Sequence, residues 1–334
     1  MSERRLRVAI IGEGEAASRW ASALRTRADL VPAPEELPGG IDALVLVAGA
    51  HDPFSRAKEA LQAGVHVLYA APFLLSPWQA ARLTLLAGRK RRLLRFVEPF
   101  QYRMGFPFLR RLLEGQEPFW RPLYLRLLCL AEPASQERID ELATEQLAVC
   151  DALLNDEPRS VTAAAVRRDD LGEVCTAFLT LQYAAGTVVQ CTISLAEAEG
   201  GRQLVAAAPG RTIILDDLDS TGAVRVIGGE HDLSAFAGDR EHRLADVDPI
   251  DEEASAFLSS VASGSLSLTN GQRWTRVAAL WWAARQSMAF DGPVEVPSAL
   301  FQLRNTEPPP LKVIEGGGKT VRTARPRPAL TVVG

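Results

Sequence analysis

The chain has 334 residues, 47% of them hydrophobic and 23% charged, with a formal net charge of -4. It is long enough for two domains with separate cores, and its composition excludes a disordered or fibrous protein. The mild acidity gives nucleic acid and anionic membranes no electrostatic hold, and no apolar run approaches the roughly 20 residues of a membrane span.

After a short polar start without an apolar signal region, Leu6 to Ile11 is an apolar, β-branched stretch that predicts a buried parallel strand. It feeds Gly12-Glu13-Gly14-Glu15-Ala16-Ala17 and a helix through Arg25. This is the GxGxxA form of the dinucleotide fingerprint. The first glycine permits a tight turn, the second lets a pyrophosphate approach the backbone, and the last small residue lets helix pack on strand. A helix N-terminus adds N–H groups and a favourable dipole. Glu13 and Glu15 oppose that use unless they point away, so a glycine turn without ligand stays as the alternative.

A second strand is expected at about Leu30 to Ala33. In a dinucleotide site it is followed by an acidic residue for the ribose or a basic one for a 2′-phosphate. Here the chain reads Pro32-Ala33-Pro34-Glu35-Glu36-Leu37-Pro38-Gly39-Gly40 and enters the strand Ala43 to Val47. No helix and third strand fit between. Glu35 or Glu36 either reaches a ribose or lies on a solvated turn, and the adenosine half-site reads as pared down.

From Asp42 onward the pattern is regular: a helix from Pro53 to Ala63, a strand VHVLYAA stopped by Pro72, a helix from Pro77 to Gly88 and a strand from Leu93 to Val97. Such alternation predicts right-handed crossovers and a parallel sheet. His66 inside its strand reads as a core histidine. His51 follows a strand end where a nucleotide can approach, and His231 and His242 flank an acidic loop. No His, Cys or carboxylate spacing makes a metal site. Cys129, Cys150, Cys175 and Cys191 read as buried thiols of a reducing compartment, and the expected location is cytoplasmic.

Further on, strands are expected at Pro122 to Leu130, Val161 to Val166, Val174 to Tyr183, Thr187 to Leu195, Gln203 to Ala207 and Thr212 to Leu215, with a hairpin turn at Ala185-Gly186. Helices are expected at Glu252 to Ala262 and Gly271 to Met288. In the latter, Trp274, Trp281 and Trp282 form a core-facing stripe. The segment after Pro297, rich in proline, glycine and arginine, reads as a polar extension that is mobile or drapes over a neighbour.

Taken together, RVAIIGEGEAA, IDALVLVAGA, ALQAGVHVLYAAP and EPFQYRMGFPFLRRLL, with EPRSVTAA, GRTIILDD and SMAFDGPVEVP, resemble the glucose–fructose oxidoreductase / inositol dehydrogenase (Gfo/Idh/MocA) family over about residues 5 to 297. The resemblance implies an α/β protein: a shortened Rossmann-like parallel sheet over 1–118, a C-terminal α/β domain with a large, mostly antiparallel open sheet over 119–297, and an extension over 298–334. It implies NAD or NADP as cofactor and a small-molecule ligand in an interdomain cleft, with no nucleic acid or membrane partner. It also implies a homodimer formed through the C-terminal sheet. Cofactor contacts would fall on Gly12, Gly14, Glu15, Ala16, Ala48, Gly49, Ala70 and Ala71, and the substrate cleft on Glu98, Tyr102 and Arg103.

The departures from the family fall on its chemistry. Its Glu-Lys-Pro, whose lysine handles a proton, maps to Ala70, Ala71 and Pro72. Its helical Asp-x-x-x-His maps to Leu142 and Gln146, and its Thr-Pro to Ala48-Gly49. None of the family's catalytic set is kept; the candidates to replace it are Tyr102, Gln146 and Glu145. Tyr69 can also donate a proton, Glu141 shares a helical face with Glu145, and Asp151 lies nearby, whereas Gln146 can hydrogen-bond but not shuttle a proton. The expectation is a dehydrogenase scaffold with degenerate or diverted chemistry, a retained nucleotide or metabolite cleft, and a cofactor that is itself open to loss. Two alternatives stand beside it: an active NAD(P)H-dependent reductase with a replacement proton donor, and a non-catalytic ligand sensor or partner subunit.

Overall fold

The structure, a computed structural model, describes residues 5–34, 37, 39–103, 105–114, 121–133, 138–167, 172–216, 224–228, 248–267, 269–296, 311–314 and 321–324. In chain order, β1 (Arg7–Ile11), α1 (Gly14–Arg25), β2 (Asp29–Leu30), β3 (Ala43–Leu46), α2 (Pro53–Gln62), β4 (His66–Tyr69), α3 (Pro77–Lys90), β5 (Leu94–Phe96) and α4 (Phe106–Glu114) come first, with 3-10 turns at Pro72–Leu74 and Pro99–Tyr102. Then follow β6 (Tyr124–Leu130), α5 (Ile139–Leu154), β7 (Pro158–Arg167), β8 (Val174–Tyr183), β9 (Val188–Ser194), β10 (Gly201–Ala208), β11 (Arg211–Asp216) and β12 (Val224–Ile227). Last come α6 (Pro249–Ser263), α7 (Thr269–Phe290), β13 (Val294–Glu295), β14 (Leu311–Ile314) and β15 (Val321–Ala324).

The chain divides into two compact units, 1–108 with 239–278 and 109–238 with 279–334. The contiguous boundaries expected at 118 and 297 thus differ from these units, because α6 and the first half of α7 return to the N-terminal one. That unit holds a parallel sheet in the order β2-β1-β3-β4-β5. An ordinary dinucleotide fold has the order 3-2-1-4-5-6. Among the described residues the outermost strand is absent, as the short connection after Pro34 predicts, and β2 is two residues long.

Local chemistry fixes the helix starts around this sheet. Asp52 adopts a left-handed conformation and its carboxylate accepts the Ser55 N–H ahead of Pro53, a cap followed by proline in the first turn. Ser76 and Gln79 form a reciprocal capping box for α3. On one face of the sheet, Val8, Val45, Val47, Leu68 and Val97 pack with Trp20 and Leu24 of α1 and Ala254, Phe257 and Leu258 of α6.

The free edge of β5 is covered by one side chain. The Phe96 N–H donates to Asn270 Oδ1 at 2.6 Å, and Asn270 Nδ2 donates back to the Phe96 carbonyl at 3.0 Å. The amide thus substitutes for a sixth strand at an edge that would otherwise present unpaired backbone.

The second unit is built on a ten-stranded sheet in the order β12-β11-β10-β6-β9-β8-β7-β13-β14-β15. Only β6 and β9 pair in parallel; the other neighbours are antiparallel. Alternation sorts its faces. Leu125, Leu127, Leu179, Leu181, Val189 and Ile193 are buried, while Tyr124, Val166, Phe178 and Ile227 are 45%, 50%, 46% and 54% exposed. Helix α5 covers part of the buried face. From α7, Ser287 Oγ accepts the Ala163 N–H of β7 at 2.8 Å, and from the same helix Trp281 donates to Asp140 of α5 at 2.7 Å. In the segment expected as a polar extension, β14 and β15 prolong the sheet beyond β13.

Candidate functional site

The turn between β1 and α1 is built for close approach. Gly12 has φ +135°, and a Cβ there would lie 2.3 Å from Val47 Cγ2 and 2.8 Å from the Ala48 carbonyl. That carbonyl accepts the Glu13 N–H at 3.2 Å, which ties the ends of β1 and β3 together. Those ends flank the point where strand order reverses, the crevice in which open α/β sheets bind ligands. Around Gly14, at φ +75°, a Cβ would meet nothing within 4 Å.

Helix α1 starts there with no side-chain cap, so its first N–H groups are oriented for an anion. Glu13 and Glu15 are exposed, as are Ala48 and Gly49. Ala16 and Ala17 pack against the core, the role the fingerprint gives its last small residue. These residues fit a pyrophosphate.

Past β2 the described residues offer no side chain for a ribose. The Val31 N–H donates to the Val8 carbonyl at 3.0 Å, and Pro32, Ala33 and Pro34 follow with no side chain able to hydrogen-bond. Glu35 and Glu36 lie outside the described residues. The Arg56 guanidinium reaches from α2 to the Pro34 carbonyl at 3.2 Å.

At the end of β4 the Ala70 N–H donates to Leu46 at 2.7 Å, and Ala71 is only 3% exposed before Pro72 turns the chain. Neither alanine side chain can give or take a proton. Tyr69 is fully buried with its ring 5.8 Å from Phe96, and its hydroxyl has no partner among the described residues; burial pushes its pKa up.

The end of β5 holds a buried ionic cluster. Glu98 accepts from Arg273 at 2.8 Å and from the Gln101 amide. Arg95 pairs with the fully buried Glu253, and its other nitrogen donates to the Tyr102 hydroxyl at 2.9 Å. Burial pushes Glu98 up to about 7 even though Arg273 pulls the other way. Loss of hydration therefore outweighs the ion pair at this carboxyl. Burial, then Glu253, pushes Tyr102 up to about 12, so its phenol keeps its proton at neutral pH. Arg103 follows half-buried, its N–H donating to Phe100 at 3.2 Å.

The structure thus joins Glu98 and Tyr102, read from the sequence as separate cleft residues, through partners that were not singled out: Arg95, Glu253, Arg273 and Gln101. One signal was visible, since an arginine inside the apolar run Leu93 to Val97 needs a buried partner.

In the second unit, Leu142 and Gln146 are 1% and 5% exposed on α5. Glu141 faces solvent, while Glu145 lies 3.5 Å from Arg202 of β10. The two carboxylates expected on one helical face therefore occupy different environments, and Asp151 is buried. His66 behaves as a core histidine: its Nδ1 accepts the Leu93 N–H at 2.9 Å, and burial lowers its pKa. His231 and His242 lie outside the described residues. Cys129, Cys150 and Cys191 are buried free thiols and Cys175 is partly buried. No described helix is long and apolar enough to cross a membrane.

No protein-family model matches the chain. It is 28% identical over 279 residues to UDP-N-acetylglucosamine 3-dehydrogenase of Acidithiobacillus ferrooxidans, covering 79% of this chain and 84% of that protein. Its fold matches the solved structure of that enzyme, GnnA, with a TM-score of 0.72 at 22% identity, covering 85% and 98% of the two chains. The gentamicin A biosynthesis protein GenD2, solved in complex with NAD, matches with a TM-score of 0.73 at 17% identity over 89% and 98%. An oxidoreductase from Agrobacterium radiobacter, solved with NAD+, L-tartaric acid and magnesium, gives 0.72 at 18% over 88% and 99%.

Proposed function

We propose, for a chain related to the Gfo/Idh/MocA oxidoreductases and sharing the fold of their NAD-dependent dehydrogenases, that it binds a nicotinamide dinucleotide in its N-terminal unit but has given up the family's oxidation of a hydroxyl group. One observation supports this reading: Ala71, onto which the resemblance maps the family's proton-handling lysine, is 3% exposed at the end of β4. A bound dinucleotide would supply the hydride acceptor. Gly12 and Gly14 would admit its pyrophosphate to the N-terminus of α1, and Ala48 and Gly49 would line the opposite wall. What the chain lacks is a group to take the hydroxyl proton. A positioned acid or base contributes about 10²–10⁴-fold to such a step. Glutamate, lysine, aspartate and histidine are replaced together by Ala70, Ala71, Leu142 and Gln146, which points to release from the reaction rather than to compensation at one position.

A second reading is favoured by one specific contact. Tyr102, held by Arg95 at 2.9 Å, is a protonated phenol at neutral pH and fits a working NAD(P)H-dependent reductase that needs a donor. A nucleotide sugar, as acted on by the relative in Acidithiobacillus ferrooxidans, is the substrate class to try first.

The test is calorimetric titration of the purified chain with NADH and NADPH, then turnover assays with UDP-N-acetylglucosamine and a panel of polyols. Micromolar binding without turnover is expected. Oxidation at ordinary dehydrogenase rates would overturn the reading. Reduction that disappears in Tyr102→Phe would favour the second. No binding at millimolar cofactor would leave a sensing or partner-subunit role.

A further inference from the structure

The dinucleotide reading leaves open how the adenosine ribose is recognised. Strand β2 ends in Val31-Pro32-Ala33-Pro34, and none of these side chains can hydrogen-bond to a 2′-hydroxyl. Into this region reaches Arg56, from the first turns of α2. One guanidinium nitrogen donates to the Pro34 carbonyl at 3.2 Å, and another lies 3.2 Å from Glu59. Its side chain is 27% exposed and that of Glu59 is 53% exposed. These contacts stretch Arg56 from the helix after β3 to the segment after β2. Between them lies the end of β1 with its glycine turn. The guanidinium therefore stands on the β2 side of the crevice, where this fold reads the ribose with a carboxylate or accommodates a 2′-phosphate with an arginine.

We infer that Arg56 reads the adenosine ribose of the bound dinucleotide and selects the 2′-phosphorylated form, NADP(H), over NAD(H). The inference rests on the dinucleotide reading proposed above. The chemistry of the contact supports it. A guanidinium offers five N–H donors in a planar fork, and the bonds to Pro34 and Glu59 engage two of them among the described residues. The Pro34 carbonyl fixes the plane of the fork while leaving its charge uncompensated. Glu59 is its ion-pair partner, but a solvent-exposed pair of this kind contributes little. A phosphate, with about two negative charges, displaces Glu59 readily. An unphosphorylated ribose offers Arg56 only a neutral hydroxyl, without the opposite charge and the bidentate acceptors of a phosphate. Glu35 and Glu36 are the competing feature, since a carboxylate from either would favour NAD(H) instead.

The experiment is calorimetry at low salt with NADPH and NADH, and with the fragment pair adenosine 2′,5′-bisphosphate and AMP, which differ only in the 2′-phosphate. The wild-type chain, Arg56→Gln and Arg56→Lys are compared, with thermal unfolding as the control for folding. NADPH and the bisphosphate are expected to bind roughly 10–100-fold tighter than their counterparts, as a charge-assisted contact allows. Arg56→Gln should abolish that margin by weakening NADPH and the bisphosphate far more than NADH and AMP, with the unfolding midpoint nearly unchanged; Arg56→Lys should keep part of it. The margin should shrink as salt is raised. Equal or tighter binding of NADH, or an Arg56→Gln variant that weakens both cofactors alike, would overturn the inference while the dinucleotide reading stands. No binding of any of the four compounds would overturn both.

Discussion

Replacing Glu98 by glutamine tests whether burial or ion pairing governs the cluster at the end of β5. The folded chain holds this carboxyl near 7, against an ordinary value of 4.5. Between those values the folded state keeps a proton that the unfolded chain has released. Stability therefore falls as pH rises through this window, is level below it, and carries the full penalty above it. At about 1.4 kcal/mol per pH unit, the interval sets an upper bound of about 3 kcal/mol; relaxation of a real interior makes about 1–2 kcal/mol the working expectation. Glutamine keeps the shape of the protonated carboxyl and cannot ionise. Urea unfolding of wild type and Glu98→Gln at pH 5.5 and 8.5 spans only the upper part of that window, at most about 2 kcal/mol, and should show the variant gaining on wild type by about 1 kcal/mol at the higher pH. The salt bridge of 2.8 Å to Arg273 argues the other way. If attraction outweighed lost hydration, Glu98→Gln would instead lose ground as pH rises. A constant difference, or one of that opposite sign, refutes the reasoning.

Three further outcomes follow from particular contacts. Asn270→Ala leaves the Phe96 N–H and carbonyl unpaired at a buried edge, at about 1–3 kcal/mol for each group; the Phe96 amide should lose hydrogen-exchange protection before the rest of its sheet, and unchanged protection would show that the edge is satisfied otherwise. Gly14→Ala places a methyl in open space at φ +75°, costing the fold about 1–2 kcal/mol but blocking the approach of a pyrophosphate; loss of NADH binding with a modest fall in unfolding midpoint is expected, and intact binding would remove the glycine turn from the site. Phe178, 46% exposed on the open face of the second sheet, should lie in a contact between copies of the chain; light scattering should find a dimer that Phe178→Asp converts to monomer, and a monomeric wild type would end that expectation.

What was legible in the sequence is what short-range chemistry determines. β8 spans Val174–Tyr183, the residues its alternating pattern predicts, and the glycine turn between β1 and α1 lies where the fingerprint places it. The missing outer strand was readable from a connection too short to hold it. The return of α6 and the first half of α7 to the N-terminal unit was not. Their apolar stripes say that each buries a face, and nothing local says against which partner. The same limit hid the cluster around Glu98. Arg95, Glu253 and Arg273 are separated by up to 178 positions in the 334-residue chain; Arg95 in its apolar run signals that it needs a partner, but Glu253 and Arg273 each read as an ordinary surface charge. Strand β12 and the pair β14–β15 were missed because short strands at a sheet edge carry too few residues to show a period.

The pattern of what is kept and lost separates binding from chemistry. Gly12 and Gly14 hold conformations that an L side chain adopts only at a cost, and at Gly12 a Cβ would collide with Val47 and Ala48. That collision explains Gly12 by packing alone. It does not explain Gly14, where the space is open and the helix N-terminus beyond is uncapped. A turn with no ligand would gain stability from a capping side chain at position 13, whereas at 14 the positive φ by itself favours glycine. The features that weaken the turn as structure are those that an incoming anion would use. At the end of β4, by contrast, Ala71 is buried and apolar, which suits packing and serves no proton. An anion cradle kept beside a proton relay lost is what the proposed binding role without dehydrogenation requires. Measuring cofactor affinity before turnover is therefore the step that separates this account from a fully silent scaffold.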